Sequence, residues 1–169
     1  TAALLTGAAF PAFADTYYIE DGDITISAGT EAGTNKVEQT GKETVENDRD
    51  TIVTNRKEDT ASSHTVTINA EDKNDKVEVT LKDVNIDVSK QSKAAVSVTG
   101  SGNTTIKLDG DNHLTGGNGI YSNSSGSLTI SGGETDSLTA QGGSGTDDSG
   151  GRGIFSKDLT ISGGTVNAN

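Results

Sequence analysis

Two aspartates in the second half of the sequence stand two positions apart in a turn-forming context. They are Asp109 and Asp111, in "LDGDNH" (108–113). Carboxylates at this spacing open the calcium loop of an EF-hand, but that loop needs Gly at position six and Glu at position twelve, where this chain has Leu114 and Ile120. Oxygen ligands of this kind still favour Ca²⁺. The alternative is that these Asp and Asn residues only form a turn.

A second acidic pair, Asp147 and Asp148, lies in the glycine-rich stretch "GGSGTDDSG" (142–150). This stretch fits the first six positions of the calcium nonapeptide G-G-x-G-x-D-x-U-x, with Asp147 in the ligand position. The eighth position should be apolar but is Ser149, and the flanking nonapeptides do not continue the motif. The stretch is therefore either part of a calcium site or a flexible glycine loop with two solvated carboxylates.

Aromatic side chains that could carry sugar rings are few after position 14: Tyr17, Tyr18, Tyr121 and Phe155. Tyr121 and Phe155 occupy equivalent places in successive repeats of the chain. We predict that they form a two-step stacking ladder that binds carbohydrate. The alternative is that the two rings stack on each other inside the core.

Groups that could catalyse a reaction are also few. The only histidines, His64 and His113, stand at unrelated places in the repeats, which gives no support to a Ser-His-Asp triad. A polysaccharide lyase pairs Ca²⁺ with a basic residue that removes the proton α to a uronate carboxylate, and Arg152 follows the acidic pair of the glycine-rich stretch. Because four coils are short for a lyase cleft, we predict a non-catalytic protein and keep a lyase fragment as the alternative.

The composition limits the class of protein and its partners. Ile, Leu, Val and Phe total 33 of 169 residues and the net charge is −12, a combination that borders on the disordered class. However, 22 of these 33 are Val and Ile, which alternate with polar residues downstream of position 65 and so favour strands. The acidic balance argues against nucleic acid and anionic membrane surfaces as partners, and favours divalent cations.

The segment at positions 1–14, "TAALLTGAAFPAFA", is apolar and uncharged and ends in the small-x-small pattern Ala12-Phe13-Ala14. This is typical of the apolar region and cleavage site of a secretory signal peptide. The segment is too short to span a bilayer, so no membrane insertion is expected. The sequence therefore predicts a secreted, extracellular protein in which 1–14 is a signal-peptide remnant; a buried helix is the alternative.

The hexapeptide "LTISGG" occurs at 128–133 and again at 159–164. Around it the sequence aligns as three copies that begin at Ala95, Gly119 and Gly153, with a weaker copy upstream. Three columns of apolar residues result: Val96, Ile120 and Ile154; Ile106, Ile130 and Ile161; and Leu114, Leu138 and Val166. The weaker copy places Val66, Val79 and Ile86 near the same columns.

A repeat of about 24 residues with three short apolar strands per unit is typical of a parallel β-helix. We predict an all-β, right-handed parallel β-helix of about four coils over 65–169, preceded by a cap or irregular first coil over 15–64. The main alternative is an antiparallel β-sandwich, although tight hairpin signals are scarce. Because Asn169 falls inside the third column, the chain is expected to be truncated and part of a longer protein.

The alignment of the copies also extends the predicted metal site. It brings Asp83 of the weaker copy near the edge that holds Asp109 and Asp111. Hard oxygen ligands stacked from adjacent coils are a plausible Ca²⁺ site. The predicted ligands are therefore these three carboxylates together with Asp147 and Asp148.

Several stretches resemble a known group of proteins: "GDITISA", "HTVTINA", "VEVTLKDVNIDVS", "GSLTISGGETDSLTAQGGSG" and "GGRGIFSKDLTISGGTVNA". Over roughly 22–169 the chain is similar to secreted, cell-surface β-helix proteins of Gram-positive bacteria. That resemblance implies a carbohydrate-binding or adhesin-like function, and some members are calcium-dependent binders of acidic plant polysaccharide. Together with the residues above, it predicts a non-catalytic extracellular module whose partner is a polysaccharide or a host or cell-surface glycan. A purely structural stalk is the second alternative.

Overall fold

The computed structural model describes residues 15–143 and 150–169, and nearly all of their regular structure is β-strand. The strands are β1 (Thr16–Tyr18), β2 (Ile24–Ala28), β3 (Asn35–Gln39), β4 (Val45–Asp48), β5 (Ile52–Thr54), β6 (Val66–Ala70), β7 (Lys76–Lys82), β8 (Asn85–Asp87), β9 (Ala94–Gly100), β10 (Asn103–Asp109), β11 (Asp111–Thr115), β12 (Asn118–Ser122), β13 (Leu128–Ser131), β14 (Ser137–Gln141), β15 (Ile154–Phe155), β16 (Leu159–Ile161) and β17 (Thr165–Ala168). Short 3₁₀ turns occupy Ile19–Asp21 and Ser89–Gln91. No helix within the described ranges is long and apolar enough to cross a membrane.

The strands form three sheets, which we name A, B and C. Sheet A has the order β1-β5-β7-β10-β13-β16, sheet B the order β15-β12-β9-β6-β2-β3-β4, and sheet C the order β17-β14-β11-β8. From β6 onward, successive strands of the chain visit sheets B, A and C in turn. Every pairing is parallel except β2–β3 and β3–β4. The predicted parallel β-helix is therefore confirmed as a β-solenoid of about four turns.

The first two predicted columns are confirmed by the strand register. In sheet B, Val66, Val96, Ile120 and Ile154 face one another on successive strands. In sheet A, Val79, Ile106, Ile130 and Ile161 do the same. Parallel strands place identical side chains about 4.8 Å apart, so like residues stack coil upon coil.

The third predicted column is confirmed from Ile86 to Leu114 and from Leu138 to Val166, but between Leu114 and Leu138 it is wrong by two positions. Leu114 pairs with Ala140, and Leu138 pairs with Asn112 and Val166. The turn before β14 is longer than the turn before β11. The number of residues from β11 to β14 in sheet C is therefore larger than the number from β10 to β13 in sheet A or from β9 to β12 in sheet B. A shift by two positions keeps every side chain on its own face, which is why the apolar pattern alone did not expose it.

The core lies between the three sheets and is continuous along the solenoid. Leu128 and Ile130 of the first "LTISGG" are fully buried, whereas Thr129 between them is half-buried on the outer face. Their partners in the second copy, Leu159 and Ile161, are 38% and 48% exposed. The same residues are buried in one copy and exposed in the other because no further described strand packs on β16.

Side chains at the corners of the solenoid join one coil to the next. Asn103 accepts a hydrogen bond at Oδ1 from the backbone N–H of Ser127 (3.1 Å), and Asn118 accepts one from the backbone N–H of Arg152 (2.9 Å). Asn112 makes contacts of this kind inside the core, where it is fully buried. Backbone groups that leave the sheets at a corner still need partners, and these amides supply them.

The N-terminal end departs from the parallel pattern. β2 lies in the solenoid beside β6, but β3 and β4 fold back as antiparallel strands along the same edge of sheet B. A turn closed by the N–H of Gly29 donating to the carbonyl of Thr34 (2.8 Å) connects β2 to β3. An antiparallel hairpin covers the edge that sheet B would otherwise expose at this end.

Candidate functional site

Tyr121 and Phe155 lie side by side on the outer face of sheet B. The two residues are paired on β12 and β15, while their neighbours Ile120 and Ile154 pair on the core side. The ring centroids are 5.2 Å apart and the ring planes differ by 11°, so the rings are stacked. Tyr121 is 38% exposed, and the alternative that both rings stack inside the core therefore does not hold.

The stack leaves one aromatic face open. Phe155 has Tyr121 against its ring and the Arg152 guanidinium 4.9 Å from its centroid. On the other side of Tyr121 in the ladder stands Ser97, whose side chain is small. Because the rings stack along the ladder, the second face of Tyr121 is turned toward the coil of Ser97.

The surface that continues from Ser97 is uncharged, a feature that the sequence analysis missed. Two ladders of hydroxyl and amide side chains run along the outer face of sheet B: Thr25, Thr67 and Ser97 in one, and Ser27, Asn69 and Thr99 in the other. We call these six residues the polar track. Thr99 donates a hydrogen bond to Oδ1 of Asn69 (3.1 Å), which ties neighbouring rungs together.

The polar track contrasts with the outer face of sheet A, which carries charges. There Lys107 lies 2.7 Å from Glu78, and Lys82 lies 3.9 Å from Asp109. In a chain with a net charge of −12, six neighbouring neutral hydrogen-bonding side chains that end at an exposed ring are distinctive. Beyond Thr25 and Ser27 the same face carries Glu38 and Lys36 of β3, which lie 3.5 Å apart. Hydroxyl and amide groups can each donate and accept, as sugar hydroxyls do.

The structure brings three of the predicted calcium ligands to one corner between sheets A and C. The N–H of Asp83 donates to the carbonyl of Asp109 (3.0 Å), and the N–H of Asp111 donates to Oδ1 of Asp83 (3.0 Å). Oδ1 of Asp111 accepts from the hydroxyl of Ser137 (2.7 Å). In each contact a carboxylate or carbonyl oxygen accepts a hydrogen bond that fixes the corner. Within residues 15–143 and 150–169, no group of three or more acidic or histidine side chains is arranged to hold a metal ion.

The other two predicted ligands, Asp147 and Asp148, lie outside the described residues. Asp136, which was not predicted, sits at the same corner as Asp83. Its carboxylate accepts from the N–H groups of Gly133 (2.7 Å) and Gly110 (2.9 Å), and these hydrogen bonds hold its pKa below the usual value. Asp136 has the role of a turn carboxylate that satisfies backbone donors of two coils.

The residues considered for catalysis are dispersed. Nδ1 of His64 lies 3.3 Å from Oδ1 of Asp23, but the nearby hydroxyl of Ser62 donates to the carbonyl of Ile19 and not to the imidazole. His113 is exposed on β11, in sheet C. The two histidines therefore do not share a site.

At the N-terminal end, a cavity of about 360 Å³ lies between β1, the 3₁₀ turn that follows it, and the β3–β4 hairpin. Tyr17 and Tyr18 line it, together with Asp21, Lys42 and Arg56. The sequence shows both tyrosines but not the cavity, because most of the residues that complete it lie far from them along the chain.

Comparisons with known proteins returned no match to a family model, to a curated protein or to a solved structure. The likeness to Gram-positive cell-surface β-helix proteins therefore stays an expectation from the sequence.

Proposed function

We propose that this chain is a non-catalytic carbohydrate-binding module of an exported, adhesin-like cell-surface protein. The observation that carries the proposal is the open face of Tyr121 at the end of the polar track. An aromatic face supplies a large contact area to the apolar face of a sugar ring, and the neighbouring hydroxyls and amides supply directional hydrogen bonds. The likeness to secreted β-helix proteins supports the same class of function.

In this proposal one sugar ring occupies the space over Ser97 and stacks on the open face of Tyr121, with its plane parallel to the tyrosine ring. The hydroxyls of Ser97 and Thr67 then lie on the side of the sugar toward the polar track. Phe155 stacks on the tyrosine ring and is itself in contact with the Arg152 guanidinium.

Glycan-array binding by the purified chain tests the proposal, with and without Ca²⁺. Tyr121→Ala should abolish binding because it removes the aromatic face. Ser97→Lys should also weaken binding at least tenfold, because a long side chain fills the space beside the intact ring. Thr129→Ala, a half-buried threonine on the outer face of sheet A, is the matched control and should bind like the wild type.

Three results would overturn the proposal. An array with no bound glycan would support a structural stalk instead. Binding that is unchanged by both Tyr121→Ala and Ser97→Lys would remove the site from this face. Release of unsaturated uronate products from polysaccharide would show a lyase.

A further inference from the structure

The N-terminal cavity has the dimensions and the mixed lining of a small-ligand site. Its volume of about 360 Å³ lies in the range of small-molecule pockets, and its wall alternates between apolar and polar side chains. Val37 and Val45 of the β3–β4 hairpin form part of the apolar wall, and Gln39 stands between them in the hairpin. Gln39 donates to the carbonyls of Tyr18 (2.8 Å) and Gly22 (3.1 Å), which fixes its amide in the wall.

Both cations of the cavity wall pair with the same carboxylate. Arg56 donates from both terminal nitrogens to the two oxygens of Asp21, and Lys42 lies 3.1 Å from Oδ2 of the same residue. These contacts lower the pKa of Asp21 well below its usual value. Asp15 and Glu43 also line the cavity, so the wall is unfavourable for an anion.

Both aromatic residues of the cavity are held in its wall. The Arg56 guanidinium lies 4.1 Å from the ring centroid of Tyr18, which holds that ring by a cation–π contact. Tyr17 is 9% exposed, and its buried hydroxyl lies close to the carboxylate of Asp48. Burial, together with the negative charge of Asp48, raises the pKa of this hydroxyl and keeps it protonated. Tyr17 therefore contributes its ring, and not its hydroxyl, to the cavity wall.

We propose that this cavity binds a sugar unit of an uncharged oligosaccharide, at the end of the solenoid opposite to Tyr121. The paired charges exclude a strongly charged ligand, the tyrosines supply ring contacts, and the planar groups of Asp21, Arg56 and Gln39 suit vicinal hydroxyls. A second hollow of about 490 Å³ shares Thr16, Tyr18 and Arg56 with the cavity, so a ligand of two units can extend across this wall. The proposal stands independently of the aromatic step on sheet B.

The tyrosines themselves provide the measurement. The chain has no Trp and only three Tyr, two of which line the cavity. In the full chain with Tyr121→Phe, tyrosine fluorescence therefore reports on Tyr17 and Tyr18 alone. We expect cellobiose, maltose or lactose to change this fluorescence saturably.

Two further variants in the Tyr121→Phe background locate the binding. Arg56→Ala should weaken it at least tenfold, while Arg49→Ala should leave it unchanged, since Arg49 is also an exposed arginine paired with an acid (Glu31, 3.0 Å) but does not line the cavity.

A fluorescence signal that does not change with any of the three disaccharides would overturn the proposal. Equal losses in Arg56→Ala and Arg49→Ala would also overturn it, because they would reflect general destabilisation. Glycan-array binding at Tyr121 is a separate measurement. Loss of the cavity proposal would therefore leave the Tyr121 site standing, and loss of the Tyr121 site would leave the cavity proposal standing.

Discussion

Replacing Asn112 by Ala should destabilise the solenoid far more than the same replacement at Asn103. The Asn112 side chain is fully buried, and its Oδ1 accepts from the N–H of Val84 at 2.9 Å. Its Nδ2 donates to the carbonyls of Asp109 and Ser137, both at 3.3 Å. One amide therefore satisfies backbone groups of three coils at a corner that water does not reach.

The expected magnitudes follow from burial. Without Asn112 the N–H of Val84 loses its partner inside the protein, which costs about 1–3 kcal/mol, and the lost side-chain volume brings the total to about 2–4 kcal/mol. Asn103 makes a similar contact with Ser127, but it is exposed, so water can replace it at a cost of about 0.5–1 kcal/mol. For a chain of this size about 1 kcal/mol lowers the melting temperature by about 2–4 °C, so the two variants should be clearly separated.

Urea denaturation followed by far-UV circular dichroism measures both free energies of unfolding. Asn112→Leu is a useful third variant, because it supplies the apolar side chain that the predicted column would place opposite Leu138, yet it satisfies none of the backbone groups. We expect it to remain less stable than the wild type. Equal losses in the two alanine variants, or a leucine variant as stable as the wild type, would refute the reasoning.

Three other predictions concern the core, the acidic corner and pH. Ile130→Asp places an unpaired charge in the core and should cost several kcal/mol, whereas Thr129→Asp on the outer face should be nearly neutral in the same urea assay; equal effects would reverse the assignment of faces. Calcium binding remains a prediction. Millimolar Ca²⁺ should raise the melting temperature more than NaCl of matched ionic strength, and the double variant Asp109→Asn, Asp111→Asn should remove that difference. Equal effects of the two salts on the wild type would reject a calcium site. The pKa of Asp136 is lowered in the folded chain, so its ionised carboxylate stabilises the fold at pH values above the ordinary pKa of 3.8. This stabilisation is lost as the pH falls through the pKa of the folded state. Asp136→Asn should therefore flatten the acid side of the plot of unfolding free energy against pH, and an unchanged plot would contradict this.

The repeat was sufficient to predict two of the three apolar columns, because sheets B and A both advance by 24 residues, from Val96 to Ile120 and from Ile106 to Ile130. The third column broke between Leu114 and Leu138 for a physical reason. Sequence alignment matched Leu114 with Leu138, since like residues align, but the longer turn before β14 shifts that strand by two positions. The position opposite Leu138 is held by Asn112, whose burial depends on hydrogen bonds to groups in other coils.

The N-terminal region was predicted only as a cap or an irregular first coil. The stretch that contains β3 and β4 is polar and charged, so hydrophobic alternation is weak there, and Val37 and Val45 alone did not indicate strands. Antiparallel pairing with β2 organises this stretch. The cavity escaped prediction for the same reason, because its wall exists only once the hairpin is folded.

The candidate site was partly visible in the sequence. Equivalent positions in two repeats placed Tyr121 beside Phe155, and the register explains their stacking. The polar track was not recognised, although its strands read "ITIS", "VTIN" and "VSVT", because these strands are widely separated along the chain. Their alignment on one face became apparent only when β2, β6 and β9 were known to be neighbours.

The two described ends of the solenoid differ, and this gives the molecule a mechanical direction. Antiparallel strands cover sheet B at the N-terminal end, whereas Leu159 and Ile161 lie exposed on β16 at the other. Since each coil contacts only its neighbours, a pulling force applied through Asn169 should peel the coils one after another from the exposed side. Successive coils differ in length, from 24 residues between Val96 and Ile120 to 34 residues between Ile120 and Ile154, so each step would release roughly 80 to 110 Å of extended chain. The covered end would resist longest, so the solenoid would yield to tension as a series of small extensions before it finally unfolds.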